Sequence, residues 1–78
     1  MAIYIPIRKV LEDDVVAEYS YRVSGEVGRV RIDKKTGEFW EIQELSIEDA
    51  HEYAARVIYK LRKHIQEGEL PDATSWSA

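Results

Sequence analysis

Residues 45–68 most constrain what this chain can fold into, because they carry the complete pattern of one amphipathic helix. Ser46 is a typical N-cap residue, and Asp49 follows it at the spacing of a capping box. Gly68 and then Pro71 end the pattern. Between these limits, one apolar stripe recurs at spacings of three and four: Ile47, Ala50, Ala54, Val57, Ile58, Leu61 and Ile65.

The residues before this helix follow the two-residue period of strands. Four strands are predicted, over residues 3–11, 15–23, 28–33 and 38–43. Pro6 has no N–H to donate to a ladder, so we expect the first strand at a sheet edge. Gly37 is expected to take a positive φ in the turn before the fourth strand.

The fourth strand carries two consecutive aromatic residues, Phe39 and Trp40, which must point to opposite faces. We expect Trp40 and Ile42 to join Val30 and Ile32 in the core. This register requires a bulge near the turn, and it leaves Phe39 on the other face of the sheet.

Together these elements predict an α+β fold, ββββα: a four-stranded antiparallel meander sheet with one C-terminal amphipathic helix packed on one face. A chain of 78 residues makes one domain. We expect this domain to span residues 1–71, with a flexible tail over residues 72–78. A core of this size contributes only about 3–5 kcal/mol, and without cysteine no disulfide adds to it, so self-association or a protein partner is expected.

Composition argues against several classes of function. No stretch approaches the apolar length of a membrane span, and the N-terminal residues lack the apolar region of a signal peptide, so a cytoplasmic location is expected. His51 begins like a zinc-protease motif, but Ala55 stands where the second ligand belongs. His64 is 13 residues from His51, which sets the two about 140° apart around the helix. We therefore expect no metal, no cofactor and no enzymatic activity.

Positive charge is predicted to collect on the sheet face opposite the helix. The nucleic-acid candidates on that face and its rim are Arg8, Arg22, Arg29, Arg31, Lys34 and Lys35. Tyr4 shares this face because side chains two or four residues apart in a strand point to the same side. Cations interleaved with aromatic rings are typical of sheets that bind nucleic acid. Glu18 and Glu41 dilute the charge, and cross-strand ion pairs are the ordinary explanation of such a face. The net charge of −4 also argues against a dedicated nucleic-acid binder.

A second candidate surface lies on the predicted helix and tail. Acidic residues cluster at the helix entry, where they complement the helix dipole and also offer a docking site to a basic protein. Tyr53 and Tyr59 lie beside the apolar stripe and, with Trp76 of the tail, form a possible aromatic contact patch. The protein-interaction candidates are Glu48, Glu52, Tyr53, Tyr59 and Trp76, with Glu44 and Asp49 in the acidic cluster.

The order of strands, a helix entry with Ser46, Glu48, Asp49 and Ala50, and an ending with Gly68 and Pro71 resembles the partial ribonuclease-H-like domain of small HicB-type antitoxins. The resemblance covers the last third of the chain. The proline-glycine segment that this family carries before its helix is replaced here by residues 43–45, so no function is carried over.

The sequence thus favours a small non-enzymatic protein-interaction or assembly module. An accessory, antitoxin-like or immunity-like subunit is one form of it, and a homodimer formed through a strand edge or helix flank is another. The alternative is nucleic-acid binding through the arginine-rich sheet face.

Overall fold

A computed structural model describes residues 3–77. Within this range the chain forms β1 (Tyr4–Glu12), β2 (Val16–Val23), β3 (Glu26–Asp33), β4 (Phe39–Gln43), α1 (Ala50–Gln66) and β5 (Ala73–Ser77). The strands pair antiparallel in the order β4-β3-β2-β1-β5. The predicted α+β class, with its four-stranded meander and its helix, is confirmed, and β5 adds a fifth strand after the helix.

The core lies between one face of the sheet and α1. Alternate residues of β1, β2 and β3 supply the sheet side, and every third or fourth residue of α1 supplies the other, as the two periods require. Tyr19 and Tyr21 are the largest fully buried side chains. The buried apolar residues are Ile5, Ile7, Ala17, Tyr19, Tyr21, Val23, Val30, Ile32, Leu45, Ala54, Val57 and Leu61.

The helix begins later than the capping pattern predicts. Its first residue is Ala50, preceded by Asp49 in the left-handed conformation with φ 61°. The N–H of Ser46 donates to Glu26 Oε1 at 2.7 Å, and Leu45 is buried in the core. These two contacts hold the segment before α1 against the sheet, so the prediction of Ser46 as the N-cap is wrong.

The end of the helix and the turn before β4 follow the sequence. Gly68 has φ 87°, and the N–H of Glu69 donates to the carbonyl of His64 at 3.0 Å. This bond spans five residues and is the closing bond of a Schellman motif. Gly37 has φ 78° as predicted.

Strand β1 is an inner strand, so the prediction that Pro6 marks a sheet edge is wrong. Residues 73–77, which the sequence assigned to a tail, pair with β1 on its outer side. The ladder between β1 and β2 includes Ile7 paired with Tyr21 but not Pro6. The missing N–H of Pro6 therefore falls outside that ladder and breaks no bond in it.

Strand β4 has the opposite register from the one predicted. Phe39 pairs with Ile32 and packs against the core, whereas Trp40 pairs with Arg31 and is 45% exposed. Ile42 is also exposed. The bulge lies opposite Arg29 and Val30, beyond Trp40, so it cannot turn Trp40 inward.

Candidate functional site

The sheet face opposite α1 is covered by no other element among residues 3–77, and we call it the open face. The register of the strands places on it Tyr4, Pro6, Arg8, Leu11, Val16, Glu18, Ser20, Arg22, Val27, Arg29, Arg31, Asp33, Trp40, Gln43, Ala73, Ser75 and Ser77. All four predicted arginines therefore share one face. Trp40 takes the place that the sequence gave to Phe39.

The arginines of the open face lie on its three central strands. Ser20 pairs with Arg8 of β1 on one side and with Arg29 of β3 on the other. Arg22 follows Ser20 two residues along β2, and Arg31 follows Arg29 along β3. The four side chains thus form one continuous band, with a hydroxyl near its middle.

Glu18 offsets half of the positive charge at one end of this band. Its carboxylate accepts hydrogen bonds from Arg29 Nη2 and from Arg31 Nη2, both at 3.0 Å. The Glu18 side chain is only 6% exposed, whereas the two arginines are 36% and 46% exposed. One carboxylate held beneath two guanidinium groups leaves this trio with one net positive charge. Cross-strand ion pairing, the ordinary explanation of the face, therefore applies at this end.

The other end of the band, formed by Arg8 and Arg22, carries positive charge that no carboxylate among residues 3–77 offsets. Among residues 3–77, neither Arg8 nor Arg22 forms an ion pair. Both lie beside an open depression of about 550 Å³ whose lining also includes Tyr4, Ser20 and Val27. Two unneutralised guanidinium groups beside a serine hydroxyl suit an anionic group.

The remaining predicted basic residues and Glu41 lie elsewhere. Lys34 is bound to Glu12 Oε2 at 2.6 Å and to the carbonyl of Asp13 at 2.8 Å. Lys35 is exposed in the turn between β3 and β4. Glu41 pairs with the buried Val30 and belongs to the α1 side of the sheet, so the prediction that it dilutes the arginine face is wrong.

A second feature is the free edge of β5, the sequence Ala-Thr-Ser-Trp-Ser at the end of the sheet. None of its five side chains is charged. Its pairing with β1 runs from Ala73 to Ser77 without a bulge. The chain is held in place just before the strand, where Lys9 Nζ donates to the carbonyl of Leu70 at 3.0 Å and the N–H of Lys9 to that of Asp72 at 2.8 Å.

The side of α1 next to β5 carries an aromatic cluster. The guanidinium of Arg56 lies 5.0 Å from the ring centre of Trp76 and 5.5 Å from that of Tyr53. We call these three residues the aromatic flank. Tyr59 is not part of it: the residue is 58% exposed, and Lys63 lies over its ring.

The two predicted acidic candidates, Glu48 and Glu52, are both exposed at the start of α1. Glu48 lies in the exposed turn before α1, and Glu52 is exposed in its first turn. Neither makes an ion pair within residues 3–77. Of the three predicted aromatic residues, the structure brings Tyr53 and Trp76 together, with Arg56 lying over both rings. Arg56 was not predicted from the sequence, because Trp76 lies in β5, 20 residues further along the chain.

A cluster at the opposite side of α1 was not predicted from the sequence, because its residues come from β4, from the segment after β4 and from α1. His51 Nδ1 lies 3.2 Å from Glu41 Oε2, and His51 Nε2 lies 3.6 Å from Glu44 Oε1. Glutamate and histidine both bind metal ions, and the ligand atoms of these three residues lie within 4.8 Å of one another. The two ring nitrogens face different carboxylates, however, so the arrangement is a polar bridge from β4 to α1 rather than three donors converging on one point.

No protein-family model, curated protein or solved structure matches this chain. The resemblance to HicB-type antitoxins stays a prediction from the residues alone. No helix within residues 3–77 is long and apolar enough to cross a membrane.

Proposed function

We propose that this protein is a small non-enzymatic assembly module that pairs with a second copy of itself through the edge of β5. The observation that carries the proposal is an uncharged, unbulged strand at the end of the sheet. Such an edge presents unpaired backbone N–H and C=O groups that another strand can bind. The lack of cysteine supports a cytoplasmic location for this module.

The direction of the backbone groups identifies the residues that would pair. The N–H of Lys9 donates to the carbonyl of Asp72, so Ile5 and Ile7, which precede Lys9 by four and two residues, also direct their backbone groups toward β5. Their partners in the ladder are Thr74 and Trp76. The backbone groups of Ser75 consequently point away from β1, at the centre of the free edge.

The other edge of the sheet, strand β4, is less suited to pairing with another chain. Strand β4 contains Glu41 and has a bulge in its pairing with β3. Charges and bulges are the features by which natural edge strands avoid pairing with other chains. Strand β5 has neither, which favours β5 as the docking edge.

The aromatic flank adds side-chain contacts beside this edge. Trp76 and Tyr53 are half-buried, and Arg56 lies over both rings. Tryptophan, tyrosine and arginine are the residues that most often dominate the free energy of binding at interfaces. An antiparallel pair of β5 strands related by a two-fold axis would bring the flanks of the two copies to the same side of one continuous sheet.

Sedimentation equilibrium of the purified full chain tests the proposal. We expect a dimer, and we expect Ser75→Pro to be monomeric, because proline removes the central outward N–H without removing a bond to β1. Ser75→Ala is the matched control and should remain dimeric. A monomeric wild-type protein, or a Ser75→Pro variant that dimerises as tightly as Ser75→Ala, would contradict pairing through β5.

A further inference from the structure

We propose that the open face binds single-stranded nucleic acid, with phosphate groups held by Arg8 and Arg22 and bases stacked on Tyr4 and Trp40. This inference does not depend on pairing through β5. The open face carries four arginines but only two acidic residues, Glu18 in the middle of the face and Asp33 at its end. The face is therefore positive although the whole chain has a net charge of −4.

The ion pairs of the face determine which arginines are available to phosphate. Arg29 and Arg31 share the carboxylate of Glu18, at 3.0 Å from each. Arg8 and Arg22 have no carboxylate partner among residues 3–77 and lie beside the depression that Ser20 also lines. Phosphate contacts of this kind give affinity without base specificity.

Aromatic rings stand at both ends of the arginine band. Tyr4 is 66% exposed at the start of β1, and Trp40 is 45% exposed on the edge strand β4. Tyr4 and Trp40 are three strand spacings apart across the sheet and about six residues apart along the strands, which together give a distance of about 25 Å. An extended strand that follows the arginines from Tyr4 to Trp40 would therefore meet a stacking surface at each end.

The shape of the surface favours a single strand over a duplex. The open face is a sheet surface with an open depression, and α1, the one helix within residues 3–77, lies on the other side of the sheet and so cannot enter a duplex groove from this face. Exposed rings on a sheet stack against unpaired bases, which a duplex keeps inside its own stack.

Fluorescence anisotropy with a labelled oligouridine and a labelled oligothymidine, over a series of salt concentrations, tests the proposal on the full chain. We expect Arg8→Ala with Arg22→Ala to weaken binding at least tenfold. The slope of log K against log salt should fall in magnitude by about 1.4, because two phosphate contacts are lost. Tyr4→Ala should weaken binding about tenfold with little change in that slope.

The matched control is Lys60→Ala with Lys63→Ala, which removes the same charge from α1 and should bind like the wild-type protein. Circular dichroism of each variant confirms that it is folded. The proposal is overturned if the wild-type protein does not bind either oligonucleotide at low salt, or if the control loses as much affinity as the arginine variant. Competition by free mononucleotide at equal phosphate concentration would also overturn it, because a single phosphate would then account for the binding.

Discussion

The hydroxyl of Tyr19 donates a hydrogen bond of 2.6 Å to the carbonyl of Pro71, 52 residues further along the chain. Tyr19 is a fully buried residue of β2, and Pro71 lies in the loop between α1 and β5. The bond crosses beneath the path of β1 and fixes the point from which β5 begins. The position of the β5 edge thus depends on a core residue that is not part of β5.

Tyr19→Phe should lower the free energy of unfolding by about 1 kcal/mol, because one hydrogen bond is removed and the shape of the ring is kept. Tyr21→Phe is the matched variant: the Tyr21 hydroxyl is buried and has no hydrogen-bond partner within the described residues. Its removal should leave stability unchanged or raise it. Urea unfolding followed by circular dichroism measures both, and equal losses for the two variants would contradict the assignment.

Alkaline pH should destabilise the protein through the same two tyrosines. Burial raises the pKa of Tyr19 to about 12 and that of Tyr21 to about 12, against about 10 in an unfolded chain. The folded state therefore holds both phenolic protons more tightly. The resulting stability is complete below about pH 10 and is lost as the pH rises toward about 12.

The urea midpoint should fall as the pH is raised from about 9 to about 12. Tyr21→Phe should show a smaller fall over the same range because only one of the two groups remains. If the midpoint stays constant across this range, the phenols are not held in their neutral form by burial.

Gly28→Ala should be strongly destabilising. A Cβ at this position would lie 2.5 Å from Tyr21 Oη and 2.8 Å from Tyr21 Cε1, inside the Tyr21 ring's own volume. The ring is buried, so moving it to admit the Cβ would disturb its packing, and we expect a loss of about 1–3 kcal/mol. Unfolding measurements should show a smaller loss when the same change is made in a Tyr21→Leu background, and equal losses in both backgrounds would rule out the steric cause.

Much of the fold could be predicted because local patterns and burial agree. The alternation in β2 gives Ala17, Tyr19 and Tyr21 one face, and the structure buries all three. The end of α1 depends on Gly68 and its own preceding turn. In both cases the information lies within a few residues of the feature that it determines.

The errors all involve contacts between distant parts of the chain. Strand β5 carries small polar residues and no alternation strong enough to predict it, and it forms where Lys9 and Tyr19 hold the preceding loop. The face of Trp40 depends on where the bulge in β4 falls. On the open face, the alternation of side chains along each strand is enough to predict that the four arginines share one face. Only the structure shows that Glu18 forms ion pairs with Arg29 and Arg31.

The start of α1 can be tested by comparing two variants of Asp49. A helix that begins at Ala50 and a helix capped by Ser46 predict opposite signs for the difference in stability between them. Asp49 has φ 61°, a conformation that disfavours any residue with a Cβ. Asp49→Gly should therefore be more stable than Asp49→Ala by about 1 kcal/mol. A helix capped by Ser46 would instead place Asp49 inside its first turn, where alanine is more favourable than glycine by about 1 kcal/mol.

Both variants remove the same carboxylate, so the loss of its interaction with the helix dipole cancels in the comparison. Ser46→Ala completes the set: it should change stability by less than about 0.5 kcal/mol here, whereas an N-cap serine would cost about 0.5–2 kcal/mol. Thermal and urea unfolding of the three variants give the sign directly. An alanine variant more stable than the glycine variant would show that α1 begins at Ser46 in solution.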